Sequence, residues 1–286
     1  MDNLPVKRLL EQTCKSLAMD VLALGKVYPT RLTDKSALQS LVHRLFPISP
    51  GRQLIRLGPD GDGGYLVPDD LLGIEACFSP GVGDIFGFEK DCAALGMKVF
   101  LADGSVELPA ELHDQFCFTK KHVGVTTGDD YMTVDDWVAS SPLRLQSDLM
   151  LQIDIESNEY ETFLGMSDRL MRRFRIIVAE FHGLDQLWNR PFFQLASRAF
   201  EKILQTHTCV HIHPNNCCGA LDKWGLTIPR LAEFTFLRND RIDKPSYADV
   251  FPHPLDSDNK ADSPHFPLPR CWYSERSTPC TPYDLG

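Results

Sequence analysis

The sequence predicts an α/β domain built on a parallel or mostly parallel sheet with helices on both faces. Two observations carry this reading. From about residue 53 to residue 240, short apolar runs alternate with helix-patterned stretches, the order of a βαβ chain. Two of those runs, LMLQIDI at 149–155 and RIIVAEF at 175–181, are apolar enough to be buried on both sides, as strands of a parallel sheet are. At 286 residues the chain can bury a sizeable core, so neither disulfides nor a structural metal is required for folding.

The elements follow in order. Residues 6–25 carry Val6, Leu9, Leu10, Cys14, Leu17, Val21 and Leu24 at three- and four-residue spacing, an amphipathic helix that ends at Gly25. A second helix is expected over Lys35–Leu45, capped by Thr33 or Asp34 and stopped before Pro47. Residues 1–50 therefore read as a helical extension. Strands are expected at Ala76–Ser79, Lys98–Ala102, Gln115–Thr119, Leu149–Ile155, Arg175–Phe181, Cys209–His213 and Phe234–Arg238. Helices are expected near Ile85–Leu95, at Thr133–Ala139 with Thr133 as cap, at Tyr160–Arg172 and at Phe192–Gln205. Residues 51–240 form the catalytic-type domain, and 241–286 read as a Pro-rich, polar tail without a sustained period.

Composition narrows the partners. Asp and Glu number 39 against 29 Lys and Arg, a net charge of -10, so a phosphate-tracking nucleic-acid surface is not expected. Lys120 and Lys121, and the run Arg169, Arg172, Arg173 and Arg175, read as solvated faces. No apolar run reaches the roughly 20 residues of a membrane span. MDNLPVKRLLEQ lacks the apolar core of a secretory signal, so a cytoplasmic protein with reduced cysteines is expected. Cys217 and Cys218 are adjacent, which suits neither a mutual disulfide nor tetrahedral zinc; Cys271 and Cys280 could pair in an oxidising setting.

In parallel sheets ligands bind beyond the carboxyl ends of the strands, so the residues after each strand hold the chemistry. Gly81 and Gly83 follow the first core strand, where glycines allow close backbone approach to a ligand or simply a tight turn. Asp103 ends the next strand, about 20 residues on, the place of an acid that accepts hydrogen bonds from a ribose diol. Together these features point to an adenosine-bearing cofactor, a nicotinamide dinucleotide or S-adenosylmethionine. Upstream, the loop containing Asp62, Gly63, Gly64 and Tyr65 reads as a tight turn or as a lid over that cofactor; its spacing does not match an EF-hand.

Three later strands end in ionisable residues two apart, hence on one face: Asp154 with Glu156, Glu180 with His182, and His211 with His213. Such groups on apolar strands are costly unless paired, solvated or metal-bound. His182 or His213 could serve as a general base. Alternatively Asp154, Glu180 and His182 could hold a divalent cation, for which manganese, iron or zinc suits the mixed ligand set better than calcium, with magnesium a further candidate. The plainer possibility is a set of buried polar residues that satisfy one another.

The segment Gln152-Ile153-Asp154-Ile155-Glu156-Ser157-Asn158-Glu159, running into a helix that ends at Leu164-Gly165, resembles the K-I-D-V-E-G-x-E motif of FkbM-type methyltransferases. Ile177–His182 resembles that family's next, acid-ended strand, and Thr133-Val134-Asp135-Asp136 its T-L-D-D segment. The likeness spans roughly residues 54–240. Ser79-Pro80-Gly81-Val82-Gly83-Asp84 departs from the family's D-V-G-A-N-x-G, and Ser157 stands for its glycine, as in a divergent branch. The resemblance implies a Rossmann-like seven-stranded sheet with its last strand antiparallel, and strand 209–213 at the edge. It also implies S-adenosylmethionine as cofactor and methyl transfer to a hydroxyl of a saccharide or secondary metabolite. The catalytic set would be Asp154, Glu180, His182 and His213. Cofactor contacts would come from Asp62, Gly63, Gly64, Tyr65, Gly81, Gly83, Asp103 and Asp154. The rivals are an NAD-dependent oxidoreductase on the same sheet and a non-catalytic module holding a structural metal. The expected partner is a small-molecule or saccharide acceptor, with homo-oligomerisation open.

Overall fold

In the computed structural model, which describes residues 17, 19–106 and 116–273, residues 17 and 19–24 are helical, Gly25 lies in a turn, and the other residues of the expected first helix lie outside the described residues. Helix α1 (Lys35–Arg44) and strand β1 (Ile48–Ser49) lead into a hairpin of β2 (Leu54–Leu57) and β3 (Tyr65–Pro68). The chain continues through β4 (Ile74–Pro80), α2 (Gly87–Ala94), β5 (Lys98–Ala102), β6 (Phe116–Thr119), β7 (His122–Gly124), β8 (Tyr131–Thr133) and α3 (Val134–Ser140). It then forms β9 (Asp148–Ile153), α4 (Glu159–Gly165), α5 (Asp168–Met171), β10 (Phe174–His182) and α6 (Arg190–Leu204). The last elements are β11 (His207–Pro214), a hairpin of β12 (Ala220–Lys223) and β13 (Leu226–Pro229), β14 (Leu231–Arg238) and β15 (Ser246–Tyr247).

Seven strands form the central sheet in the order β11-β14-β10-β9-β4-β5-β6. β4, β5, β6, β9 and β10 run parallel. β14 is antiparallel to both β10 and β11, between which it inserts, so the fold is the Rossmann-like, mostly parallel sheet that the sequence implied, with β11 at the edge. β10 is buried along eight of its nine residues, which explains the apolar run Ile176–Ala179 at its centre.

Alternation along the strands divides the core between the two faces. On one face Phe78, Leu151, Ala179 and Phe234 pack with α1, α3, α4 and α6 through Leu38, Trp137, Phe163 and Phe200. On the other, Cys77, Leu101, Met150 and Val178 pack with α2 and the β2–β3 hairpin through Phe88, Tyr65 and Val67. Ser79, Gln152 and Glu180 continue this second face by the two-residue period, so the polar strand ends lie under the hairpin.

Several local readings change. The helix expected over 160–172 breaks after Gly165, because Ser167 starts a new helix: its Oγ accepts from Leu170 N at 3.2 Å, and its N–H donates to Asp135 at 2.8 Å. The start expected at Gln115 lies outside the described residues, as does Cys280. Thr133 caps α3 as expected, accepting from Asp136 N at 3.1 Å. The arginine run is not simply a solvated face: buried Arg175 donates to Asp148 at 2.8 Å and to the carbonyls of Asp70 and Leu72. The tail is largely irregular but not detached. β15 pairs with β1, and Leu268 and Trp272 are buried in the larger core. No described helix is long and apolar enough to cross a membrane.

Candidate active site

A cleft of about 540 Å³ opens at the carboxyl ends of β4, β5 and β9. Asp62, Gly63, Tyr65, Gly81, Gly83, Asp103 and Asp154 all line it, so residues far apart in the sequence meet at one place. The two glycines of the turn differ in purpose. Gly81 has φ +82°, and a Cβ there would lie 1.5 Å from the Asp154 carbonyl oxygen, so its bareness lets β4 and β9 close against each other. Gly83 has φ +46°, and a Cβ would meet nothing within 4 Å; its bareness leaves room in the cleft. Gly64 is not among the lining residues: a Cβ there would strike the Pro59 carbonyl and the Arg56 guanidinium, so its role is packing within the loop.

The lining is strongly acidic. Asp62, Asp84, Glu89, Asp103, Asp154 and Glu156 all contribute, and among the described lining residues none is Lys or Arg. Asp103 follows β5, where its Oδ1 accepts from the backbone N–H (2.7 Å) and hydroxyl (2.6 Å) of Ser105.

At the β9 end, Asp154, Glu156 and His182 each offer one ligand atom within 4.8 Å of the others, the only such group among the described residues. His182 Nε2 lies 3.8 Å from Asp154 Oδ1 and 3.5 Å from Glu156 Oε2. Its Nδ1 donates to Glu159 Oε1 at 3.2 Å. That same oxygen accepts the N–H groups of Ile155 (3.0 Å) and Ser157 (3.2 Å), so one carboxylate folds the loop and orients the imidazole. The loop needs this hold, because Glu156 (φ +55°) and Ser157 (φ +79°) both occupy the left-handed region that non-glycine residues avoid. Ser157 holds φ +79° without the conformational freedom of a glycine.

Protonation follows from burial and crowding. Burial, then the neighbouring Glu180, pushes the Asp154 carboxyl up to about 8 against the opposing pull of His182. Burial and the adjacent Glu233 raise Glu180 to about 7. Burial disfavours charge on His182, but the Glu159 hydrogen bond and the surrounding carboxylates outweigh it and raise the imidazole to about 9. His182 is therefore a cation at neutral pH, while Asp154 is poised to exchange a proton.

Glu180, expected beside Asp154 and His182, does share their face, but Asn215 Nδ2 donates to its Oε1 at 3.0 Å and it is not in the three-residue group. Cross-strand register sets it beside Glu233, and Glu233 beside His213. His213 is buried there, its Nδ1 3.7 Å from Asp256 Oδ1, and His211 Nε2 donates to the same oxygen at 2.9 Å. The histidine pair thus holds the tail, and neither His211 nor His213 lines the cleft. Asn259 extends the contact, donating from Nδ2 to Glu233 at 2.7 Å and to Asp62 at 3.4 Å.

Sequence reasoning passed over Glu159, Glu233 and Glu89. Glu159 had a signal, an acid in the first turn of the helix that follows an acid-ended strand. Glu233 had a weaker one, a lone acid in the apolar stretch LAEFTFL. Asp256 and Asn259 had none, since their meaning comes from the tail's path.

No family model matches the sequence. No curated protein matches it. Solved structures do match. One is a variant of a Catenulisporales acidiphilia 16S rRNA (adenine(1408)-N(1))-methyltransferase, at 10% identity and TM-score 0.29 over 66% of this chain and 98% of that one. A Thermoplasma acidophilum protein matches at 10% identity and TM-score 0.29, over 59% and 81% of the two chains. A Burkholderia thailandensis 1,6-didemethyltoxoflavin-N1-methyltransferase, bound to 1,6-didemethyltoxoflavin and S-adenosylhomocysteine, matches at 11% identity and TM-score 0.29, over 83% and 91%. At such scores these likenesses bear on neither substrate nor reaction.

Proposed function

We propose that the protein is an S-adenosylmethionine-dependent O-methyltransferase whose acceptor is a hydroxyl of a saccharide or other small polar molecule. One observation carries the choice of cofactor: six carboxyl residues and no Lys or Arg line the cleft among its described residues. A sulfonium and an ammonium suit such a lining, whereas the pyrophosphate of a nicotinamide dinucleotide would be repelled by it. Asp103 would accept from the ribose hydroxyls, and the open side of Gly83 would admit the methionine portion. The orphaned Asp154 Oδ1, buried without a hydrogen-bond partner, supports a ligand at this position.

Bound S-adenosylmethionine supplies an electrophilic methyl group on a sulfonium. The chain has to orient the acceptor oxygen and remove its proton. Asp154 suits the proton removal, because a carboxylate raised to about 8 is a far stronger base than an ordinary aspartate. His182 does not, because it already carries its proton; its charge offsets Asp154, Glu156 and Glu159. Glu156, its side chain 89% exposed, stands at the mouth, where it can accept from further hydroxyls.

A second reading is favoured by the grouping of Asp154, Glu156 and His182 within 4.8 Å, which suits a divalent cation. Glu159 would then orient the imidazole from behind, as carboxylates do for histidine ligands. The cation would lower the pKa of a bound hydroxyl.

Calorimetric titration with S-adenosylmethionine and, separately, with NAD tests the main reading. Heat with the first and none with the second is expected; no binding of S-adenosylmethionine at millimolar concentration would overturn it. Repeating the assay after exhaustive chelation and after manganese addition tests the second: activity unchanged by both rejects a catalytic cation.

A further inference from the structure

Four side chains form a buried chain beneath the cleft, none more than 5% exposed: Glu89 of α2, Ser79 of β4, Gln152 of β9 and Tyr65 of β3. Ser79 Oγ lies 2.6 Å from Glu89 Oε1 and 2.6 Å from Gln152 Oε1. Gln152 Nε2 lies 3.3 Å from the Tyr65 hydroxyl. Glu89, Gln152 and Tyr65 also line the cleft.

Ser79 has one proton and two oxygens to satisfy, so the chain closes in only two ways. With Glu89 protonated, Glu89 donates to Ser79, Ser79 to the Gln152 carbonyl, and the Gln152 amide to the Tyr65 oxygen. The Tyr65 proton is then directed away from the chain and toward the cleft. With Glu89 ionised, the Gln152 amide turns over, every bond reverses, and the Tyr65 proton is drawn inward to Gln152. The observed orientation of Gln152, oxygen toward Ser79 and nitrogen toward Tyr65, is the first arrangement. Burial favours it too, since it holds Glu89 above the usual carboxylate range.

The consequence concerns the amino-acid end of the ligand. An α-carboxylate entering a cleft lined by acids needs donors, and a neutral hydroxyl can serve without adding a charge. We infer that Glu89, Ser79 and Gln152 are positioning residues that turn the Tyr65 O–H into the cleft, where it receives the carboxylate of the cofactor. This rests on the S-adenosylmethionine reading. The groups around Glu89 are Ser79 and Cys77 on β4 and Tyr65 on β3; beyond Tyr65 stand Asp154, Glu180 and Glu233.

The test compares S-adenosylhomocysteine with its decarboxylated analogue, which keeps the amine, by calorimetry. Tyr65→Phe is expected to weaken S-adenosylhomocysteine about tenfold or more while leaving the analogue within about twofold. Taking the ratio of the two affinities cancels groups that act on both ligands. In the wild type that ratio should fall as pH rises and Glu89 ionises. In Glu89→Gln, whose amide donates to Ser79 at every pH, the ratio should fall less steeply, because only Asp154, Glu180 and Glu233 still ionise near the carboxylate. Binding of the analogue shows that each variant is folded. Equal losses of both ligands in Tyr65→Phe, complete loss included, would overturn the inference, as would the same pH profile in wild type and Glu89→Gln. Wild-type protein that binds neither ligand defeats the cofactor reading itself, and this inference with it.

Discussion

Glu159 Oε1 lies 3.2 Å from His182 Nδ1 and simultaneously accepts two backbone N–H groups, of Ile155 and Ser157, in the loop that leads from β9 to Glu159. The residue is fully buried, so its charge acts in a poorly screened environment, and it settles both the imidazole's proton and the shape of the acidic loop. Glu159→Gln should bring the His182 pKa down from about 9 toward its ordinary value, visible by NMR titration of the ring. The loop at Glu156 and Ser157 should loosen, with faster amide exchange at Ser157. Turnover should fall more than cofactor affinity; an unshifted His182 would show that the other carboxylates alone hold its proton.

Asp154 predicts the pH profile. A base must be ionised to accept a proton, so activity should be low at neutral pH and rise as pH climbs through about 8. Asp154→Asn should lower kcat by roughly 100-fold or more and abolish that limb. A profile that is flat from pH 6 to 9 in steady-state assays would remove Asp154 from this role.

Gly81 and Gly83 should respond oppositely to alanine. Gly81→Ala places a Cβ 1.5 Å from the Asp154 carbonyl at φ +82°, so it should destabilise the fold by more than about 1 kcal/mol, read by chemical denaturation. Gly83→Ala meets no atom within 4 Å and carries only the backbone strain of φ +46°, so its stability loss should be the smaller of the two and its larger effect should be on ligand binding. Unchanged ligand affinity in Gly83→Ala would mean that the ligand does not use the open side of the turn.

Asp256 fastens the tail to the sheet edge through His211, with His253 N–H donating to its Oδ2 at 2.7 Å. Asp256→Ala strands two buried imidazoles and should cost about 3 kcal/mol. Limited proteolysis should then cut within residues 251–264 before the sheet domain unfolds. Because Asn259 ties the same segment to Asp62, cofactor affinity should fall as well.

His207 sets an acid limit on stability. Burial, opposed only in part by its bond to the Phe174 carbonyl (2.8 Å), depresses it to about 4. The unfolded chain binds a proton near pH 6.5, so the contribution is complete above that value. It is lost as pH falls through 6.5 toward 4, to roughly 3 kcal/mol. His207→Gln should flatten the unfolding free energy over that interval, measured in urea.

The edge position of strand 209–213 came only from the family resemblance, whereas the α/β class and the chain order of the seven core strands were legible in the residues themselves. These depend on local period and on the two doubly buried runs, which are properties of contiguous residues. The sequence also determined where to look, since strand ends in a parallel sheet gather ligands, and Gly83, Asp103, Asp154 and Tyr65 do line one cleft. Tertiary structure alone decided the partners. Cross-strand register placed Glu233 between Glu180 and His213, and the tail's path delivered Asp256 to the histidines and Asn259 to Asp62. It also settled protonation, because a carboxyl's affinity for a proton depends on how many other charges share its dry surroundings. That is why Asp154 and His182 were legible as residue types but not as base or cation, and why Glu89 was passed over altogether. Those identities depend on distances of 2.6 to 3.8 Å between residues on different elements, which no local pattern encodes.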